Sequence, residues 1–225
     1  MKAKRLMIIT KKVVVQKTRR YKVLPPLTYE THPAVASLKA RFMAMLQEDT
    51  WPMILDQPGP PSLQIAKHPS MPFAFRIKTV LPNTPSAVLD FLSNTVNRPN
   101  WDKMCIEAKE IAKLDPFTRV IYLRMAAVYP TSSRDILLLS HICQLEDGRL
   151  LNVTQSWTHP DCPERPDEKI VRCHTACAGQ ILAPLGKNQT EMIQIADGTL
   201  DSSFFSEYQR LNQNQAIQRD GFHLP

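Results

Sequence analysis

Glycine is scarce in this chain, with 6 in 225 residues against 19 prolines. Loops that cradle phosphates through glycine are absent: there is no P-loop and no G-x-G-x-x-G. A G-x-S-x-G nucleophile elbow and an H-E-x-x-H zinc helix are missing too, which removes the commonest hydrolase signatures. So many prolines among so few glycines predict rigid loops between short elements rather than long helices. No apolar run approaches the ~18 residues of a spanning helix, and no apolar signal core opens the chain. Five cysteines are an odd number in a chain too large to need stapling, which points to a reducing, intracellular compartment.

Acid is absent from the first 29 residues, where nine basic residues stand: Lys2, Lys4, Arg5, Lys11, Lys12, Lys17, Arg19, Arg20 and Lys22. The rest of the chain holds 19 basic and 21 acidic residues, so the formal charge of +7 belongs to the leader. Such a leader suits anionic lipid headgroups, at about 1 kcal/mol per basic residue near the surface. The alternative is a solvated tail. The body has no basic stripe or nucleic-acid motif, so nucleic acid is not expected as a partner. Residues 1–32 are read as this leader and 33–225 as one folded domain.

Val35, Leu38, Phe42, Met45 and Leu46 recur at helical spacing over 34–47. Alternation of apolar and polar residues predicts strands over 63–67 and 73–80. Thr84-Pro85 reads as a cap followed by proline at the first helical position, and the short helix it opens ends near Asn94. Strand-like stretches follow over 106–114, 119–128, 135–145, 149–157, 169–185 and 190–195, separated by turns such as Asp147-Gly148. Connections that short imply antiparallel pairing. A terminal helix is expected over 202–218, with Phe204, Phe205, Tyr208 and Leu211 on one side. The fold class is therefore α+β. A curved sheet of that many strands must close on a helix or enclose a cavity.

Two constellations carry candidate chemistry. His159, Cys162, Cys173, His174 and Cys177 lack C-x-x-C spacing, and Cys173 and Cys177 would share one strand face with His174 on the other; the cysteines read as buried or half-buried free thiols rather than as ligands of a structural zinc. Arg98 and Asp102 are four residues apart with Trp101 between them, which makes either a weak surface pair or a pair carried into a cavity.

Arg98-Pro99-Asn100-Trp101-Asp102, Tyr129-Pro130-Thr131-Ser132-Ser133-Arg134-Asp135, His159-Pro160-Asp161-Cys162-Pro163, Ile170-Val171-Arg172 and Leu182-Ala183-Pro184-Leu185-Gly186 together resemble, in order, the START lipid-transfer family. The likeness runs from about 34 to 200. It implies a helix-grip fold, in which a curved antiparallel sheet wraps around a C-terminal helix and encloses a lipid cavity. By the same resemblance, Arg98, Trp101, Asp102, Tyr122, Leu123, Thr154 and Gln194 are the lipid-binding candidates. Tyr129 and Pro130 would form the tip of a membrane-contacting loop, a place suited to an amphipathic ring. Arg134 and Asp135 would anchor that loop to the sheet. Leu123, Thr154 and Gln194 depart from the ceramide-binding pattern, and the Gly-Trp-x-Pro entry to the last helix is replaced by Gly198-Thr199-Leu200-Asp201. The function implied is non-catalytic lipid binding and transfer, with a phospholipid favoured over ceramide or sterol, transient membrane contact and no cofactor. The location implied is the cytoplasm, with peripheral membrane association. The alternatives are a lipid-sensing or membrane-targeting module, and an enzyme on the same fold using Asp102 with His141 or His159.

Overall fold

The computed structural model describes residues 32–199, apart from positions 60, 61, 72, 128, 130 and 131, with burial defined up to 196. The basic leader and the expected helix over 202–218 lie outside the described residues, as does Pro130. Two α-helices and ten strands make up the rest.

Helix α1 is Pro33–Gln47. It opens at His32, whose Nδ1 accepts from Ala34 N at 3.3 Å, with proline in the first turn. Helix α2 is Pro85–Ser93, and Thr84 Oγ1 accepts from Ala87 N at 3.4 Å, the cap that Thr84-Pro85 predicts. A 3₁₀ segment, Thr95–Asn100, follows at once and carries Arg98. The strands are β1 (Met53–Gln57), β2 (Leu63–Lys67), β3 (Ala74–Leu81), β4 (Cys105–Lys113), β5 (Thr118–Met125), β6 (Arg134–Gln144), β7 (Leu150–Ser156), β8 (Val171–Arg172), β9 (His174–Gly186) and β10 (Gln189–Thr199).

They form one open sheet in the order β1-β2-β3-β10-β9-β7-β6-β5-β4, all antiparallel along that path. Three features differ from the expectation. Strand β1 has no counterpart in the sequence reading: all five of its residues are exposed, so it lacks the half-buried alternation that marks a strand. The stretch 169–185 is broken at Cys173 into β8 and β9, and β8 pairs with β6 in parallel, Arg134 opposite Val171. Gly198 and Thr199, expected just ahead of the terminal helix, instead close β10 opposite Thr175 and His174.

Side chains alternate across each strand, so the register sorts the sheet into two faces. Helix α1 covers one face, packing Leu38, Phe42 and Met45 onto Leu151, Val153, Cys177, Ile181 and Ile195. Helix α2 covers the other, packing Val88 and Leu89 onto Leu150, Leu182 and Leu81. Leu150 and Leu151 are neighbours in β7, and each serves a different helix. The two helices therefore sandwich the centre of the sheet.

Candidate functional site

The α2 face carries most of the candidate residues. Trp101 follows the 3₁₀ segment and packs on Phe91 of α2, with ring centroids 5.2 Å apart. Arg98 lies over the same indole, its guanidinium carbon 5.4 Å from the ring centroid. Arg98 Nε donates to Asp102 Oδ2 at 3.0 Å, while Asp102 Oδ1 accepts from Met104 N at 3.1 Å. The pair is half-buried, with 34% of Arg98 and 19% of Asp102 exposed, between the surface and cavity readings of the sequence. Asp102 has both oxygens engaged. Arg98 has only Nε committed among the described residues, which leaves both terminal nitrogens open. The indole N–H of Trp101 is buried and makes no hydrogen bond among the described residues.

Beside this group lies an apolar patch of Cys105, Ile121, Leu123 and Leu138, edged by Ala108, Met125 and Ile136. Burial comes first in raising the Cys105 thiol above its ordinary value, with the Arg98 charge opposing. Leu123 is thus on the α2 face, opposite Ile136. Thr154 and Gln194 are there as well, the first opposite Ala178 and the second opposite Gln180. The Thr154 hydroxyl donates to the Ala178 carbonyl at 3.4 Å.

Tyr122 does not join them, which corrects the sequence reading. It precedes Leu123 in β5 and so points to the α1 face, against Val120, Leu137 and Trp157. Its hydroxyl accepts from Arg165 Nη2, whose guanidinium also lies over the ring. Burial, followed by the neighbouring Asp135 carboxylate, pushes the phenol up to about 12. Asp135 takes a two-point bond from Arg172, Nε to Oδ1 at 2.6 Å and Nη2 to Oδ2 at 3.1 Å. Arg134 Nη1 donates to Ser132 O at 3.0 Å. Arg134 thus holds the carbonyl of Ser132 just ahead of β6, and Asp135, through Arg172, which also donates to the Cys162 and Pro163 carbonyls, ties the 157–170 segment to the sheet. A half-open groove of about 160 Å³ opens here between Lys109, Ile111, Tyr122, Cys162 and Arg165, on the face away from Leu123. Tyr129 stands at the loop tip, 95% exposed.

His141 is buried on the α1 face with Thr118, remote from Asp102, and His159 sits near Asp161 at 3.8 Å. Among the described residues the hydrogen-bond partners of Asp102 are Arg98 and Met104, and neither histidine is one of them. Cys177 is buried and His174 exposed, the opposite facing that alternation predicts. Among the described residues no three metal-ligating side chains converge.

Sequence reasoning passed over one polar group. Ser140, Asn152 and Gln180 share the α2 face with Gln194 and are hydrogen-bonded across strands, Ser140 Oγ to Asn152 Oδ1 at 3.4 Å and Asn152 Nδ2 to Gln180 Oε1 at 2.9 Å. The signal was present in the alternation of Leu150, Asn152 and Thr154 along β7, but register was needed to join it to Gln180.

Among the described residues no helix is long and apolar enough to cross a membrane. A START domain model matches residues 39–210. Human StAR-related lipid transfer protein 6 is 25% identical over 116 residues, 51% of this chain and 52% of that protein, so the chain spans about half the length of that curated relative. The fold resembles the solved structure of human StAR-related lipid transfer protein 5, with a TM-score of 0.67 at 20% identity over 77% of this chain and 88% of that one. It also resembles human STARD10, with a TM-score of 0.64 at 19% identity over 86% and 80%. With three quarters of its length matched, the chain belongs to the START domain family, a family of lipid-binding and lipid-transfer domains.

Proposed function

We propose that this protein binds one lipid against the α2 face and carries it between membranes without catalysis, and that the lipid is a phospholipid whose phosphate meets Arg98. The observation that carries this reading is the state of Arg98. Asp102 takes Nε and Trp101 takes the guanidinium face, so the side chain is held in one pose with both terminal nitrogens unspent. A planar fork presented that way matches two oxygens of a phosphate. The apolar patch around Leu123 and Leu138 adjoins it and offers a surface to an acyl chain, each buried methylene stabilising by about 0.8 kcal/mol. Tyr129, fully out in solvent on its loop, suits transient contact with a headgroup layer.

The test is mass spectrometry of lipid co-purified with the protein and taken up from mixed vesicles. Wild type is expected to carry a phospholipid at one per chain. Arg98→Gln keeps the fold and loses uptake about tenfold, the scale of one charge-assisted contact. A protein that carries no lipid and gains none from vesicles overturns the reading. Uptake of phospholipid untouched by Arg98→Gln overturns the placement of the phosphate. Tyr129→Ser is expected to slow transfer while leaving the amount bound unchanged.

A further inference from the structure

The two edges of the open sheet are finished differently. Strand β4 closes one side, and four of its nine residues, Glu107, Lys109, Glu110 and Lys113, are charged. Charges along an edge keep further strands away. Strand β1 closes the other side as Met53-Ile54-Leu55-Asp56-Gln57, with all five residues exposed. Met53, Ile54 and Leu55 are 53%, 56% and 40% exposed. Among the described residues β1 pairs with β2 alone. Pro52 and Pro58 bound the strand and its register shifts between Met53 and Leu55, so the open run is short. An apolar edge with backbone N–H and C=O groups facing outward is a template for one more strand.

The charge around β1 decides what kind of strand fits. Residues 48–67 hold three acids, Glu48, Asp49 and Asp56, against one base, Lys67. Glu48 is met by His68, Oε1 to Nε2 at 3.1 Å, whereas Asp56 accepts from the uncharged Gln64 amide at 3.3 Å. A second copy of β1 would bring the same acids to the same edge. The leader brings the opposite charge. Within it Val13-Val14-Val15 is a run of strand-forming residues, with Lys11 and Lys12 just ahead and Lys17 two residues beyond.

The leader is also long enough. It joins the domain at His32, whose ring lies 5.3 Å from that of Trp157, the residue after β7. Strand β1 is five strand positions from β7, about 24 Å at the usual spacing. Residues 16–31 separate Val15 from His32 and extend to about 50 Å. That slack costs little, because loop closure grows only slowly with length. We infer that residues 13–15 add to the outer edge of β1 as a further strand, with Lys11, Lys12 and Lys17 set against Asp49 and Asp56. Strand β1 is at the opposite edge of the sheet from β4 and β5, so this pairing does not depend on lipid held beside Arg98 and Leu123.

Hydrogen exchange of the full chain, read by mass spectrometry without lipid, tests the pairing. In wild type, amides over 13–15 and over 53–57 are expected to be protected together. Val14→Pro removes a backbone donor from the leader and changes nothing within 32–199. Exchange over 53–57 is then expected to rise about tenfold, with the rest of the sheet unchanged. Leu55→Lys defends the edge from the other side and should release 13–15 by a similar factor. Lys11→Glu with Lys12→Glu should give part of the same release. Exchange over 53–57 that is equal in wild type and Val14→Pro overturns the pairing. Protection that survives Val14→Pro and grows with protein concentration overturns it too, and gives the edge to a second copy. Val14→Pro carries the test should Leu55→Lys disturb β2.

Discussion

Thr118 Oγ1 and His141 Nδ1 lie 2.8 Å apart, and both side chains are sealed beneath the α1 side of the sheet. The other imidazole nitrogen, Nε2, has no hydrogen bond among the described residues. Burial, with the Lys39 charge from α1 adding and Asp115 opposing, lowers the imidazole from 6.5 to about 4. The unfolded chain takes up a proton as the pH falls past 6.5, while the folded chain holds out to about 4. The stability this group lends is complete at pH 7 and drains away below 6.5. Through this group alone the domain is expected to be about 2 kcal/mol less stable at pH 5 than at pH 7. His141→Gln keeps a partner for Thr118 and cannot titrate. Urea denaturation at the two pH values should show a smaller loss in that variant, and an equal loss would refute the assignment.

The Asp135 carboxylate is 1% exposed and meets Arg172 at two points. Removing one partner strands the other in a dry site, so Asp135→Asn and Arg172→Gln are each expected to cost about 3–5 kcal/mol. The double variant should cost clearly less than the two together, because both single changes break one bond. Chemical denaturation of the four proteins decides it. Additive costs would mean that the pair does not act as a unit.

Tyr122 has its phenol held to about 12, chiefly by burial. Absorbance of phenolate during a short alkaline titration is expected to show one tyrosine ionising after the others. Tyr122→Phe removes that late step and nothing earlier. If instead the variant loses an early step, Tyr122 is accessible and the packing around Arg165 is not as described.

What the sequence made legible is what local chemistry decides. Thr84 and Pro85 set the start of α2 by a cap and a fixed φ, and both effects act within a turn. The strands β5, β6 and β7 showed as apolar runs of strand length between turn signals, because consecutive residues in each are buried on both faces of the sheet. Strand β1 did not show, because an edge strand exposed on both faces has no such pattern. The strand expected over 169–185 covered β8 but not its break at Cys173 or its pairing with β6, where Arg172 meets Asp135, 37 residues away, which no window of sequence contains. The site divides in the same way. Arg98 and Asp102 sit four apart, so their pairing was readable. Tyr122 and Leu123 were grouped by resemblance although adjacent residues of a strand point to opposite faces. Which face holds the ligand depends on where α1 and α2 pack, and that is decided by tertiary contacts.

Gly179 is where the two faces depend on one residue. A Cβ added there would stand 2.3 Å from the Asn152 carbonyl oxygen, 3.0 Å from Val153 Cα and 3.2 Å from Phe42 Cε2. The first two are backbone atoms of β7 and the third belongs to Phe42, a fully buried side chain of α1, so no flexible group can give way. Gly179→Ala must push β7 from β9 or lift α1, and is expected to cost about 3 kcal/mol, at the upper end of overpacking. Phe42→Leu in the same chain should recover little, since the shortest contact is to backbone. The displaced strand also carries Asn152, so the 2.9 Å bond to Gln180 would lengthen on the opposite face. Urea denaturation measures the cost. A variant as stable as wild type would show that β7 and β9 are not so closely joined at this point.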